Sequence, residues 1–140
     1  VVNAAGNDST KADALGGSDY NNYITLEGLE NFYYHRGGSP NVKTLPGFQV
    51  GALGTTTVGP ANSTEFKAAY SNAGPGVNIY AAGSAIMGAM SDVNIYSGEQ
   101  PYNPDSTYLQ HSLNGTSFSA PQVAGLVALL LQVHPKWRPA

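Results

Sequence analysis

The chain of 140 residues contains no cysteine and little charge. Without thiols it can form no disulfide, no thiolate metal site and no cysteine nucleophile. Charged residues make up 11% of the sequence, against about a quarter in an average protein. The net charge is −3, so no basic surface for nucleic acid is predicted. The sequence therefore excludes thiol chemistry and gives no indication of a nucleic-acid partner.

Long apolar runs and targeting signals are lacking as well. The longest uninterrupted apolar run, in VAGLVALLL near the C-terminus, is shorter than the roughly 20 residues that a membrane-spanning helix needs. Val1 opens directly into an apolar segment without a basic region before it, so no signal peptide is visible. Hydrophobic residues make up 41% of the chain, which is enough for a core. We therefore expect one domain or part of one, with no membrane partner.

What the sequence does contain is a serine at the start of an apolar helix. The stretch NGTSFSAPQVAG runs into LVALLLQV, and its glycine-containing turn places Ser117 in the first helical turn. There the hydroxyl lies at the positive end of the helix dipole, beside backbone N–H groups without intrahelical partners. Such a serine can be an activated nucleophile, or it can cap the helix, which is the commoner role. Pro121 could itself start the helix, with Ser119 or Ala120 just outside it.

A second polar residue of interest follows a short strand at the N-terminus. The apolar and small residues of VVNAA are typical of a strand covered on both faces, and Gly6 permits a tight turn. Asn7 comes directly after this turn. The ordinary role of an asparagine at such a position is to form a turn through its own side chain.

The remaining segments predict further strands separated by loops. Apolar runs at 46–54 and 77–83 are typical of buried strands, and the short runs at 93–96 and 108–113 favour a hairpin. The closing helix is apolar all round, which predicts a core helix covered by other elements, and it should end at His134. Residues 8–45 are loop-like, with scattered carboxylates in no EF-hand spacing, so solvated surface positions are favoured over a calcium site. These carboxylates are Asp8, Asp13, Asp19, Glu27 and Glu30.

Several of these segments resemble those of the subtilisin-like serine peptidases, the subtilases. NGTSFSAPQVAG is similar to the family's nucleophile segment GTS-x-(A/S)-x-P-x-VAG, and VVNAAGN to the strand that carries its oxyanion-hole asparagine. The stretch 69–83 resembles F-S-x-x-G-x-x-x-D-V-x-A-P-G, with Asn78 in place of the usual Asp and Ala82 in place of the usual Pro. HPKW after the helix is similar to the family's H-P-x-W-T. The resemblance spans almost the whole chain.

The resemblance implies a fold and a domain organisation. The fold would be α/β and three-layered, with a mostly parallel sheet and a buried central helix after the nucleophile. Residues 1–140 would form only the second, C-terminal half of a catalytic domain, with a loop insertion at about 8–45.

The resemblance also implies roles for individual residues. Ser117 would be the nucleophile, and Asn7 would place its amide in the oxyanion hole. Ala4, Ala5 and Gly6 would line one side of the pocket for the residue before the cleaved bond. This chemistry requires no metal or other cofactor, although structural calcium would be compatible with it.

A serine peptidase of this kind also needs a histidine base and a carboxylate that orients it. Subtilases carry them in the order Asp, His, Ser, with the histidine in H-G-T-H upstream of the oxyanion asparagine. His35, His111 and His134 stand in no such motif. The resemblance therefore implies that the Asp and His lie in a missing N-terminal part of the same domain.

The expected function is that of a secreted serine endopeptidase, which hydrolyses peptide or protein substrates through an acyl-enzyme. The isolated chain should then be nearly inactive, because in subtilisin removing the serine or the histidine is about as damaging as removing the whole triad. The alternative is a non-catalytic peptide-binding or structural module that retains the fold and binds an extended partner at a sheet edge.

Overall fold

The computed structural model describes residues 1–14, 16–20, 24–25, 31–32, 47–55, 65–93 and 97–138. In these ranges the strands are β1 (Val2–Ala4), β2 (Ile24–Thr25), β3 (Asn31–Phe32), β4 (Phe48–Thr55), β5 (Glu65–Lys67), β6 (Ile79–Ala82), β7 (Ile86–Met90), β8 (Gln100–Tyr102) and β9 (Asp105–Leu113). They are followed by the helix α1 (Thr116–Val133). The architecture of the described residues is thus mixed α/β.

The central strand of the main sheet is β4, whose sequence FQVGALGT carries no charged residue. This composition suits a strand that is covered on both faces of the sheet. β1 and β6 pair with β4 in parallel and on opposite edges, because Val50 lies opposite both Ala4 and Ile79. β5 pairs antiparallel with the end of β4. The strands predicted at 46–54 and 77–83 are therefore confirmed.

The sheets are less uniformly parallel than predicted. Two of the three pairings in the main sheet are parallel, those of β4 with β1 and with β6. The second sheet, in the order β7-β9-β8, is antiparallel throughout, and so is the β2–β3 pair. Of the two runs predicted to form a hairpin, 108–113 lies in β9, and most of 93–96 lies outside the described residues. The strands that pair with β9 are β7, which precedes the predicted first arm, and β8, which follows it. The three-layer arrangement is not confirmed by the described residues.

The helix α1 is much less buried than its apolar sequence predicts. It contacts β1, β4 and β6, yet only Thr116, Ser119 and Val123 are buried. Further along, Leu129 is 63% exposed and Val133 is 71% exposed. The described residues alone therefore do not cover the helix on all sides as predicted. The reason is that the main sheet covers one face, and no other described element covers the opposite face of the C-terminal half.

By length and composition alone, α1 is also long and apolar enough to cross a membrane. It has 18 residues with a mean hydropathy of 1.4, so the short apolar run of the sequence belongs to a longer apolar helix. One such helix is weak evidence, because the core helix of a soluble protein has the same properties. The side chains of Ser119 and Gln122 donate hydrogen bonds to carbonyl groups of β6, which ties the helix to the sheet.

Small residues allow the helix to approach the sheet closely. Ala5, Val50 and Ala52 are fully buried in the core. A side chain at Gly83, directly after β6, would place its Cβ 2.5 Å from the Cβ of Ala52 and 2.6 Å from the Oγ of Ser119. Only glycine therefore fits between the main sheet and the first turns of α1.

The segment after β1 is organised by Asp13, which is buried rather than solvated. Its carboxylate accepts hydrogen bonds from the backbone N–H groups of Ala14 (2.9 Å) and Asp19 (3.1 Å). The Nζ of Lys11 lies 3.5 Å from the same carboxylate. The prediction of a solvated surface position is therefore wrong for Asp13.

A calcium site would need several carboxylates close together. Among the described residues, no group of three or more His, Asp or Glu side chains could hold a metal ion. Glu27, Glu30 and most of the insertion predicted at about 8–45 lie outside the described residues. The insertion stays a prediction.

Candidate active site

The candidate site lies at the carboxyl ends of two parallel strands. β1 and β6 both run parallel to β4, so the turns that follow Ala4 and Ala82 both lie at the carboxyl ends of the strands. The start of α1 docks there, because the backbone N–H of Gly115 donates to the carbonyl oxygen of Gly83 at 2.8 Å. The carboxyl edge of parallel strands is where α/β folds usually bind their ligands.

Ser117 is the second residue of α1, and its side chain is exposed. The residue that caps the helix is Gly115, and no side chain makes a capping hydrogen bond from this position. Within the described part of the chain, the hydroxyl of Ser117 has no hydrogen-bond partner. The capping interpretation of Ser117 is therefore wrong, and its hydroxyl is available at the positive end of the helix.

Asn7 does not form the local turn that its position in the sequence favours. Its Oδ1 accepts hydrogen bonds from the backbone N–H of Thr116 at 2.8 Å and from the Thr116 hydroxyl at 2.9 Å. The two residues are 109 positions apart in the sequence. Asn7 therefore reaches across to the turn that precedes Ser117.

The bond from Thr116 also fixes the orientation of the Asn7 amide. Of the two polar ends of an asparagine side chain only the oxygen can accept this N–H, so Nδ2 must occupy the other end of the amide. Nδ2 has no hydrogen-bond partner among the described residues, and it would lie 3.6 Å from a Cβ built on Gly115. A donor without a protein acceptor thus lies beside the turn that leads to Ser117.

Thr116 links the two segments and was missed by sequence reasoning. It is fully buried, and its hydroxyl accepts a hydrogen bond from the N–H of Gly6 at 3.2 Å while donating to Asn7. The signal that could have found it is its place between Gly115 and Ser117 in the GTS triplet. Its partners could not be read from that triplet, because they come from the other end of the chain.

The three residues predicted to line a pocket differ in their accessibility. Ala5 is completely buried, and its N–H donates to the carbonyl oxygen of Val50. Its methyl group packs in the core and is not available to a substrate. Ala4 and Gly6 are half-buried, so the pocket wall would have to come from these two residues. Their role in substrate binding stays a prediction.

Asn72 is a second residue near the site that sequence reasoning missed. Its Nδ2 donates to the carbonyl oxygen of Ala5 at 3.0 Å. Its Oδ1 accepts from the N–H groups of Asp8 at 3.1 Å and Thr10 at 3.0 Å. Its backbone N–H donates to Gly6 at 3.0 Å. This buried amide therefore joins the backbone on both sides of Asn7.

The two described histidines are engaged away from Ser117. The Nδ1 of His111, on β9, donates to the carbonyl oxygen of Gly98 at 2.8 Å. His134 ends α1, as predicted, and its ring stacks on Trp137 with the ring centres 4.2 Å apart. Within the described ranges no histidine is hydrogen-bonded to Ser117. His35 lies outside these ranges.

Comparison with known families decides the assignment of the chain. The model of the subtilase family matches residues 1–140, which is the full length of the sequence. The chain belongs to the subtilase family. The subtilases are serine peptidases as a family, and the mixed α/β architecture of this chain is compatible with part of a subtilase domain.

Curated relatives agree with the family model. This subtilase is 32% identical over 100 residues to subtilisin E of Bacillus subtilis, covering 71% of the chain and 22% of that protein. It is 38% identical over 103 residues to subtilisin-like protease SBT3.13 of Arabidopsis thaliana, covering 68% of the chain and 12% of that protein. An extracellular protease of Xanthomonas campestris is 37% identical over 78 residues, covering 56% of the chain and 12% of that protein. No solved structure matches the chain significantly.

Proposed function

We propose that this chain is the part of a secreted subtilisin-like serine endopeptidase that supplies the nucleophile Ser117 and the oxyanion-hole donor Asn7. The observation that carries the proposal is the 2.8 Å hydrogen bond from the Thr116 N–H to Asn7 Oδ1. It holds the Asn7 amide beside the turn that ends in Ser117, and both side chains are exposed. A nucleophilic hydroxyl and a fixed donor are the two groups that acyl transfer needs close together.

In the proposed reaction, the Oγ of Ser117 attacks the carbonyl carbon of the scissile peptide and gives its proton to a histidine. The carbonyl oxygen becomes negatively charged, and Asn7 Nδ2 and the Ser117 N–H donate hydrogen bonds to it. The Ser117 N–H has no acceptor among the described residues, as is usual in a first helical turn. The amine then leaves with the proton, and water hydrolyses the acyl-enzyme.

The histidine and the aspartate are proposed to come from an N-terminal part of the same domain. The family order of the triad supports this, because Asp and His precede the serine in subtilases. The engagement of His111 with Gly98 and of His134 with Trp137 supports it as well.

The proposed substrate is a peptide or protein, whose residue before the cleaved bond would lie against Ala4 and Gly6. The chemistry requires no metal or cofactor, and the net charge of −3 gives no reason to expect a nucleic acid. A secreted location is proposed because one relative is an extracellular protease. We propose that α1 is a core helix of the domain and not a membrane span, because Ser119 and Gln122 tie it to β6.

The alternative is a non-catalytic module that binds an extended peptide. It is favoured by one observation, namely that β6 pairs only with β4 among the described strands, so its other edge is available for strand addition. Such a module would not need the hydroxyl of Ser117.

Covalent labelling with a fluorophosphonate separates the two functions. In the complete domain we expect the probe to phosphonylate Ser117, because an assembled base and oxyanion hole activate this hydroxyl alone. Ser117→Ala should abolish the labelling. The matched control is Ser112→Ala, which removes an exposed hydroxyl on β9 and should leave the labelling unchanged. A folded, complete domain that takes up no label would contradict the peptidase proposal.

A further inference from the structure

The position of Asn7 depends on the turn that carries it as well as on its bond to Thr116. The backbone of Asn7 makes no described hydrogen bond of its own outside regular structure, whereas its neighbours on both sides do. The carbonyl oxygen of Gly6 accepts a hydrogen bond from the N–H of Asn72, and the N–H of Asp8 donates to the side chain of the same residue. What holds Asn72 therefore also determines where the Asn7 side chain begins.

The side chain of Asn72 is built into this turn with its hydrogen-bonding capacity well used. It is 3% exposed, and its amide oxygen accepts two N–H groups, from Asp8 and Thr10, while its amide nitrogen donates to Ala5. Buried amides are normally satisfied in this way, but here every side-chain bond goes to the backbone of one short turn. Removing the side chain would leave three backbone groups of the turn without their partners, among them the buried carbonyl oxygen of Ala5.

The fit between Asn72 and the turn is also tight in space. Gly6 has a φ of +102°, which L-residues rarely adopt, and a Cβ on it would lie 2.5 Å from Asn72 Nδ2. The turn thus wraps around the Asn72 amide at van der Waals contact. Displacement of the amide would move the backbone on which Asn7 stands.

The other side of Asn72 is anchored to the central strand of the main sheet. Its neighbour Ser71 accepts a hydrogen bond from the Ala52 N–H at 2.9 Å and donates to the Asn72 carbonyl oxygen at 3.0 Å. Ser71 is 1% exposed and Ala52 belongs to β4. The sheet, the Asn72 amide and the turn therefore form one continuous hydrogen-bonded support.

We propose that Asn72 is a positioning residue of the oxyanion hole, which acts on catalysis through Asn7. The inference rests on the proposed function of Asn7. Asn72 is buried and touches no substrate, so its effect must be transmitted by the turn. Displacements of about 1 Å are enough to cost a catalytic group much of its effect. Loss of Asn72 should therefore weaken transition-state stabilisation and leave substrate binding nearly unchanged.

The test is a double-mutant cycle in the complete peptidase. Asn72→Ala should lower kcat at least about tenfold with KM within about twofold, because the oxyanion exists only in the transition state. In an Asn7→Ala background the same substitution should change kcat less than about twofold, since the group it positions is gone. An equal loss of kcat in both backgrounds, or no loss in the first, would overturn the proposal.

A matched control and a milder variant guard against a general loss of structure. Asn78→Ala removes an amide of the same type, which accepts the Gln49 N–H at 2.7 Å and does not contact the turn. It should leave kcat unchanged in both backgrounds. If Asn72→Ala does not fold, Asn72→Asp keeps the oxygen that accepts the N–H groups of Asp8 and Thr10 and replaces the donation to Ala5 by a contact between two oxygens. The same dependence on Asn7 is then expected.

The outcomes also separate this inference from the proposed function. If Asn7→Ala alone leaves kcat unchanged, the oxyanion role of Asn7 fails and the positioning role fails with it. If Asn7→Ala lowers kcat but the effect of Asn72→Ala simply adds to it, only the positioning role is refuted. A melting temperature and a titration of active Ser117 with the fluorophosphonate give the folded fraction of each variant.

Discussion

At the scale of single residues, the polar groups of the candidate site divide into buried and exposed ones. Thr116 and Asn72 are buried and hydrogen-bonded, as buried polar groups normally are. Asn7 Nδ2 and the Ser117 hydroxyl are exposed and have no partner among the described residues. The buried, hydrogen-bonded residues hold these two groups in place. Asn7 Nδ2 can therefore donate to an acceptor on a bound molecule, and the Ser117 hydroxyl can react with an electrophile on it.

The sequence allowed only part of this arrangement to be predicted. Ser117 could be placed in the first helical turn because the signal is local, a glycine turn followed by an apolar run. The partner of Asn7 could not be predicted from the residues around it, because Thr116 lies 109 positions away and the bond forms only in the folded chain. The side chain of Asn7 makes this tertiary bond in place of a bond within its own turn. The N–H groups of the turn, those of Asp8 and Thr10, donate to Asn72.

Asp13 provides a pH-dependent prediction for stability. The backbone N–H of Asp19, the N–H of Ala14 and the charge of Lys11 together hold the pKa of Asp13 below its ordinary value. The stabilisation is therefore present above about pH 4, the ordinary pKa of an aspartate, and is lost as the pH falls through the lower folded value. Asp13→Asn should lower the melting temperature of the complete peptidase at pH 7.

The difference in melting temperature between Asp13→Asn and the parent protein should shrink as the pH falls below about 4. Asp92→Asn changes an exposed carboxylate and serves as the control, with a melting temperature close to that of the parent protein. A difference for Asp13→Asn that grew on acidification would contradict the role of the Asp13 carboxylate.

At the scale of elements, the position of α1 is set by its first turns. The helix begins at Thr116, so Pro121 lies inside it, and the interpretation of Pro121 as its first residue is wrong. Pro121 has no N–H to donate to the carbonyl of Ser117, four residues earlier. Ser119 instead contributes a bond to the sheet, donating to the carbonyl of Ala81 at 3.1 Å. Tertiary contacts thus stabilise a helix with Pro121 in its second turn, although local rules favour proline at the first helical position.

The second sheet shows the same limit of local reasoning. The strand β9 could be predicted from the run at 108–113, but its pairing with β7 could not, because β7 precedes the run predicted as the first arm. β8 could not, because it contains Pro101 and lies in a region rich in turn residues, and its pairing with β9 is irregular next to this proline.

Gly83 tests the docking of α1 on the sheet. A methyl group at this position would collide with Ala52 and Ser119, so Gly83→Ala should destabilise the peptidase by about 1–3 kcal/mol, as overpacking typically does. It should also lower kcat, because it displaces the turn before Ser117. The control is Gly88→Ala on β7, whose added Cβ would lie 3.9 Å from the Phe118 ring, an ordinary contact distance. Equal stability of the two variants in thermal melts would contradict the close approach.

At the scale of the whole molecule, α1 presents apolar side chains that the described residues do not cover. Their exposed positions follow from the main sheet contacting one face of the helix only. The hydrophobic pattern of the sequence could predict that α1 is buried on every side, but it could not predict which elements bury it. Because the chain spans 22% of subtilisin E, we expect the covering residues in another part of the complete domain.

Substitution of Leu129 tests whether this face of α1 is covered in the complete domain. Its side chain is 63% exposed here, so Leu129→Asp would have little effect if the helix stood free. In the complete peptidase we expect a loss of at least about 2 kcal/mol, since a buried leucine would be replaced by a charge. Val93→Asp, at a residue 84% exposed after β7, should be tolerated. Chemical denaturation measures both, and equal stability of the two variants would show that α1 is not covered.

The convergence of Asn7 and Ser117 on one carbonyl group is tested most directly by the steady-state kinetics of Asn7→Ala in the complete peptidase. We expect kcat to fall by about 10²–10³, the value measured for the corresponding donor in subtilisin itself, with KM nearly unchanged. Asn3→Ala removes an exposed amide on β1 and should change neither constant. A variant Asn7→Ala with unchanged kcat and a raised KM would contradict the proposed site.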